Sequence, residues 1–356
     1  MYYVNEGSLK LSVIEPKNTR LSKKDLVFYN PAAKISRELT LAFLKSVKVK
    51  DFLDLLSASG AMGLRIAKEL PIKVLLNDAN PEAVKLIKKN INLNKIKNAE
   101  VVNKSANKLL KETKKFDYID IDPFGPPVPF LDLAVQKVSK YLGVTSTDTS
   151  ALSGTYPKAC LRKYKSVPLK NEFMHETGIR ILIKRVQDFG IKHNIALEPV
   201  FSFHFERYSR VFFKVTRNIE KIRQNLGYVC YCNECLWRKS SKIRKKSCPN
   251  CKGKLNYAGK LWIGTIWDNK IIDKMLEQGI SYGVRKLLKK IKEEAKINTV
   301  GFYDLHTISK KYKKETVPKI EKVIENIKKK GFKASRTHFS PTGIRTNARI
   351  NVLSAK

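Results

Sequence analysis

The 356-residue sequence predicts an α/β chain built on an open sheet covered by helices, followed by a smaller α+β domain with a four-cysteine metal site. Three observations predict it. Phe52-Leu-Asp54-Leu-Leu56, the turn Ser57 to Gly63, the helix Leu64 to Leu70 and the strand Val74 to Asp78 read as a βαβ unit with a glycine turn. Asp117 to Asp122 reads as a buried strand ending in a carboxylate, which breaks at once into Pro123-Phe-Gly-Pro-Pro-Val-Pro-Phe130. Its prolines hold φ at about −65°, and Gly125 frees the turn between them. Finally, Cys232-Asn-Glu-Cys235 and Cys248-Pro-Asn-Cys251 are separated by twelve residues, a spacing that sets four thiolates tetrahedrally around zinc.

In chain order, residues 1 to about 30 alternate short apolar and polar groups and end in Val27-Phe-Tyr-Asn-Pro31. Pro31 then opens a helix to about Leu44 that carries Arg37. After the βαβ unit come a helix Pro81 to Asn92 and a strand Glu100 to Asn103, with Ser105 and Ala106 at its carboxyl end. Ligands of open α/β sheets sit at that edge, and the strand ending in Asp122 delivers its carboxylate to the same place. A helix Leu131 to Tyr141, a strand Leu142 to Thr145 and a polar loop Ser146 to Ser150 follow. Tyr156 to Tyr164 interleaves basic and aromatic residues, which suits phosphates and stacked bases. A helix begins at His175-Glu176 and runs to Phe189, and strands Ala196 to Phe205 and Arg210 to Thr216 close the sheet as an antiparallel hairpin. The polar stretch Asn218 to Asn225 divides the chain into domains at 1–220 and 221–356. Beyond the cysteines, Lys-rich amphipathic helices at Ile271 to Ala295 and Val317 to Lys330, then a strand Phe332 to Phe339, suggest a winged-helix-like module.

Lys and Arg number 71 against 32 Asp and Glu, a net charge of +39. Such a field attracts polyanions and gives phosphate contacts their affinity through counterion release. The N-terminal residues lack a basic, apolar leader, and no apolar run approaches the ~18 residues of a membrane span. A cytoplasmic, membrane-free and monomeric protein is expected. Five of the six cysteines lie between Cys230 and Cys251, which favours a metal over a disulfide framework. Cys230 is an alternative ligand to Cys232, and the shorter Cys-x-x-Cys spacing favours Cys232. Four thiolates leave no open position, so the zinc is expected to be structural.

The βαβ unit and Asp78 alone admit either a dinucleotide or S-adenosylmethionine. An NAD-dependent oxidoreductase leaves the rigid loop after Asp122 and the charge without a reason. A non-catalytic zinc-containing RNA-binding protein leaves the βαβ unit without one.

Several stretches together resemble the archaeal and eukaryotic tRNA (guanine-N2) dimethyltransferase family: Val27 to Pro31, Asp120-Ile-Asp-Pro-Phe-Gly125, Thr147 to Leu152, Gly154 to Tyr164 and Asn171 to Glu176. The resemblance spans nearly the whole chain. It implies a Rossmann-like class I methyltransferase domain with a family-specific C-terminal domain, and transfer of one or two methyl groups from S-adenosylmethionine to N2 of the guanine at tRNA position 26. Another tRNA guanine N2 is the alternative target. By the same resemblance Arg37, Arg65, Asp78, Ser105 and Ala106 hold the cofactor, Asp122 contacts the amine, and Phe28 and Phe124 stack on the base. The pattern departs at Ser105, where an acidic residue is expected, and at Ser153, where cysteine is common.

Overall fold

The computed structural model describes residues 1–15 and 26–354. Strands β1 (Tyr2–Glu6) and β2 (Leu9–Val13) pair as a hairpin whose buried Leu9, Leu11 and Val13 continue the core. A 3-10 turn, Pro31–Ala33, precedes α1 (Lys34–Ser46). Proline at the first turn loses no hydrogen bond there, and the Asn30 side chain accepts from the Ala32 amide.

The alternation that follows is β3 (Asp51–Asp54), α2 (Ala61–Glu69), β4 (Lys73–Asn77), α3 (Pro81–Asn94), β5 (Ala99–Val102), α4 (Ala106–Glu112), β6 (Phe116–Ile121), α5 (Val128–Lys137) and β7 (Val138–Ser146). Short helices α6 (Thr149–Leu152) and α7 (Pro157–Tyr164) lead to the long α8 (Met174–Lys192), and β8 (Ala196–Phe205) and β9 (Tyr208–Thr216) end the sheet. Its seven strands run β5-β4-β3-β6-β7-β9-β8. The first five are parallel, while β9 is antiparallel to β7 and to β8. The parallel strands bury both faces, as sheets covered by helices on both sides require: Leu53, Leu76, Ile119, Ile121, Leu142 and Val144 are sealed from solvent. All five parallel carboxyl ends therefore share one edge, and the order reverses between β3 and β6, where a crevice opens.

The remaining chain holds α9 (Ile219–Gln224), the three-stranded sheet of β10 (Leu226–Cys232), β11 (Arg238–Ser241) and β12 (Leu255–Trp262), then α10 (Asn269–Leu276) and α11 (Tyr282–Ala295). It ends in β13 (Tyr303–Asp304), α12 (Leu305–Lys311), α13 (Ile320–Lys329), β14 (Ala334–Arg336), β15 (Gly343–Thr346) and α14 (Ile350–Ser354). From α11 to β15 the order is helix, strand, two helices and a hairpin whose last strand pairs back to the first, where the sequence suggested two helices and one strand. A buried ionic network ties this part to α8. Arg345 bonds Glu176 at 2.6 Å and Glu294 at 2.8 Å, Arg180 bonds Glu176 at 2.8 Å, and His338 bonds Glu294 at 2.6 Å.

Several boundaries differ from expectation. The helix expected over Ile271 to Ala295 is two helices, because Gly279 interrupts it and Ser281 caps α11 while donating its hydroxyl to Glu38 at 2.9 Å. The helix expected over Leu131 to Tyr141 is shifted to Val128–Lys137, since Val138 onward pairs with β6. The C-terminal strand shortens to Ala334–Arg336.

Candidate active site

At the carboxyl ends of β3, β4, β6 and β7 lies a cavity of about 580 Å³. The turn after β3 forms one wall. It is bent by Ala58 at φ 45° and Gly60 at φ 77°, and the Ala58 amide donates to Asp78 at 2.7 Å. Gly60 suits that left-handed position because it has no Cβ to clash; Ala58 tolerates it at a cost. A side chain at Gly63 would meet the Asp54 carboxylate at 2.9 Å, so α2 can start only this close to β3 with glycine there.

The opposite wall is the proline loop. Asp122 lies at its foot, open to the cavity but surrounded by protein, and Phe124 stands at the mouth. Gly125 donates to the Thr147 hydroxyl at 2.6 Å and accepts from the Thr147 amide at 3.2 Å, so the loops after β6 and β7 are locked together. Phe28 meets Phe124 edge-to-face, with ring centroids 4.3 Å apart and planes at 76°. The two rings touch, so a base enters between them only by parting them.

The floor carries four carboxylates against few cations. Asp54 accepts from the Gly63 amide at 3.0 Å, and burial, with Asp120 next, pushes its pKa well up. Asp120 accepts from the sealed Arg210 at 2.7 Å. Burial nonetheless lifts its carboxyl to about 6, against the pull of Arg210 and with the push of Asp122. Burial also raises Asp122, while Arg210, the Thr145 hydroxyl and Arg37 draw it back toward the charged form. Asp120 Oδ2 is buried and bonds to none of the described residues.

Arg37 lines the cavity and is held from behind: its Nε donates to Glu6 at 3.1 Å, a second nitrogen pairs with the same carboxylate, and it donates to the Asn30 carbonyl at 3.1 Å. Glu6 also accepts from the Tyr29 hydroxyl at 2.7 Å, and despite its burial these partners hold its pKa below the usual range.

The structure therefore gathers Phe28, Arg37, Asp78, Asp122 and Phe124 around one cavity. Arg65 stands behind the wall, bonded to Glu69 at 3.0 Å and 3.8 Å from Glu6. Ser105, at the N-cap of α4, and Ala106 lie on the same sheet edge beside the cavity and not in its lining. Asp54, Asp120, Thr145, Tyr208, Arg210 and Glu6 were not singled out from the sequence. The first two sit at strand ends beside residues that were, a signal available to inspection; Arg210 arrives through the pairing of β9 with β7, and Glu6 through packing of the β1–β2 hairpin.

In the second part, the Sγ atoms of Cys232, Cys235, Cys248 and Cys251 all lie within 4.8 Å of one another, with Cys232 to Cys251 at 3.4 Å and Cys235 to Cys248 at 3.6 Å. All are unpaired thiols. Zinc with Zn–S bonds of about 2.3 Å needs sulfurs at nearly that separation, so the donor set fits. Cys230 is buried outside the group.

An open sheet with a reversed edge hairpin, and a deep acidic cavity at the switch in strand order, define the class I methyltransferase fold. A family model for "N2,N2-dimethylguanosine tRNA methyltransferase" matches residues 7–356, and the chain belongs to that family. It is 38% identical over 374 residues to the tRNA (guanine(26)-N(2))-dimethyltransferase of Methanococcus maripaludis, covering 99% of this chain and 97% of the relative. It is 37% identical to the tRNA (guanine(26)-N(2)/guanine(27)-N(2))-dimethyltransferase of Aquifex aeolicus, covering 98% and 93%. The structure of Trm1 from Pyrococcus horikoshii, a complex with S-adenosyl-L-methionine, superposes with a TM-score of 0.88 at 33% identity, covering 99% of this chain and 98% of that one.

Proposed function

We propose that this chain is a tRNA (guanine-N2) dimethyltransferase that acts on the guanine at position 26. The observation that carries the reading is the placement of Asp122 and the proline loop against the glycine turn across one cavity, joined to the family membership. When bound, S-adenosylmethionine supplies an electrophilic methyl on a sulfonium. The Asp78 carboxylate after β4 would hold the ribose hydroxyls, the bent backbone after β3 would receive the cofactor, and Arg37 would hold its carboxylate.

The guanine N2 lone pair is delocalised into the ring, so the amine attacks well only when its N–H groups are held. Asp122 accepts one N–H and aims the lone pair. Asp122 would take up the proton that the amine gives up as its N–C bond forms and the S–C electrons return to sulfur. Base assistance contributes about 10²–10⁴-fold, and fixing two reactants in line supplies about 7–11 kcal/mol. Positioning therefore dominates, which is why the locked loop matters as much as its charge. Phe28 and Phe124 part to take the base between them, at an unstacking cost of a few kcal/mol for drawing it out of the tRNA core. A second methyl requires the monomethylated amine to turn its remaining N–H to Asp122.

The four thiolates hold a structural zinc, and Arg65 steadies Arg37 through Glu6. Ser105 and Ala106 contribute to the adenine end. The domain division stays at residue 220, with the basic C-terminal part gripping tRNA, and reduced thiols with a tRNA substrate put the protein in the cytoplasm. Among the described residues no helix is long and apolar enough to cross a membrane. Incubating the protein with tRNA and S-adenosylmethionine, then weighing the nucleosides by mass spectrometry, should reveal guanosine methylated on N2. Methyl groups elsewhere, or none, would refute the reading.

A further inference from the structure

We infer that the outer face of α7 is the docking surface for the tRNA strand that flanks the target guanine. This rests on the reading of the chain as a tRNA methyltransferase. Lys158, Leu161 and Arg162 recur at i, i+3 and i+4, which places them on one helix face, Lys165 follows at the C-cap of α7, and all four are exposed. Leu161 is 53% exposed, and Tyr156 at the N-cap is 62% exposed. No carboxylate among the described residues pairs with any of the three cations, whereas Lys163 on the other side is engaged with Asp148 at 2.9 Å. A solvated helix has no use for a leucine and a tyrosine set among unpaired cations. An RNA strand does: phosphates take the cations, and a base or ribose covers the apolar groups.

The place of α7 decides which strand it meets. Its inner residues Cys160 and Tyr164 are sealed, and the Tyr164 hydroxyl lies 3.1 Å from the Ser146 hydroxyl. Lys163 holds Asp148, and the residue between those two anchors is Thr147, which lines the cavity and bonds Gly125 of the Asp122 loop. The helix, the loop after β7 and the loop after β6 are one bonded unit. RNA seated on α7 is thereby held at a fixed distance from Asp122. An acidic protein partner would take the cations but gives no reason for their coupling to the catalytic loop.

The test compares wild type with a Lys158→Gln/Arg162→Gln/Lys165→Gln variant, Tyr156→Ala and Tyr156→Phe, measuring tRNA affinity against salt, methylation kcat/KM and S-adenosylmethionine affinity. The triple variant should flatten the slope of log affinity against log salt by roughly 2 to 3. Tyr156→Ala should weaken tRNA binding about tenfold or more, and Tyr156→Phe should retain it, because stacking needs only the ring. Cofactor affinity should stay at the wild-type value in all three, since none of these residues lines the cavity. If wild type methylates guanine N2 and the variants match its slope and affinity, the docking face is wrong and the activity stands. If wild type transfers no methyl group to guanine N2, the functional reading falls first and takes this surface with it.

Discussion

Asp122 is asked to be a carboxylate that opens to the cavity while protein surrounds it. Burial raises its pKa above the ordinary 3.8, and Arg210, Thr145 and Arg37 limit the rise. Accepting the amine N–H requires the charged form, so turnover should fall as acidity increases, at a pH above that of an exposed aspartate. Asp120, lifted to about 6 directly beneath it, extends the same trend. In a kcat profile, an acid limb above 3.8 is expected, and Asp122→Asn should lower kcat by about 10²–10⁴-fold while cofactor binding persists. A flat profile down to 3.8, or near-normal turnover in the variant, would remove the assigned role. Asp122 was legible from the sequence because a proline-rich break follows it. Arg210, which balances its charge, was not, since a basic residue at the start of a strand looks like any surface cation until β9 is paired with β7.

At the level of elements, patterns with a strong local cause were read well and those decided by tertiary contact were not. The βαβ unit, the closing hairpin and the two cysteine pairs follow from glycine turns, period and spacing. The break between α10 and α11 was missed because amphipathic period continues across it; the interruption depends on Glu38 of α1 receiving Ser281. Likewise Ser105 sits on the expected edge, yet α4 carries it past the cavity wall. The cysteine cluster at the end of β10 has its own test. Elemental analysis should find one zinc per chain, and Cys235→Ser should lose it and unfold the β10–β12 sheet on heating before the rest, because thiolate–zinc bonds carry the folding energy of such small modules. A metal-free wild-type protein with an intact sheet would contradict this.

For the whole molecule, the buried ion network decides behaviour in acid. Burial opposes the charge on Glu294, but Arg345 and His338 outweigh it and lower its pKa from 4.5 to about 2. A depressed carboxyl contributes stability above its unfolded value and loses it as pH falls through the folded one. Stability should therefore drop between pH 4.5 and about 2, and Glu294→Gln should be less stable at neutral pH but lose less over that interval, by on the order of 3 kcal/mol. Unfolding curves across that range would show it; parallel losses in both proteins would assign the acid sensitivity elsewhere. The same network reaches from α8 to β15, so Glu176, besides Arg180 on its own helix, has a second counter-ion in Arg345, more than a hundred residues away. A protein engineer could not treat the two parts as exchangeable cassettes. Grafting the first 220 residues onto another RNA-binding domain would leave Glu176 with Arg180 alone and the sealed face of α8 without a cover, so the graft would have to supply a matching surface in place of Arg345.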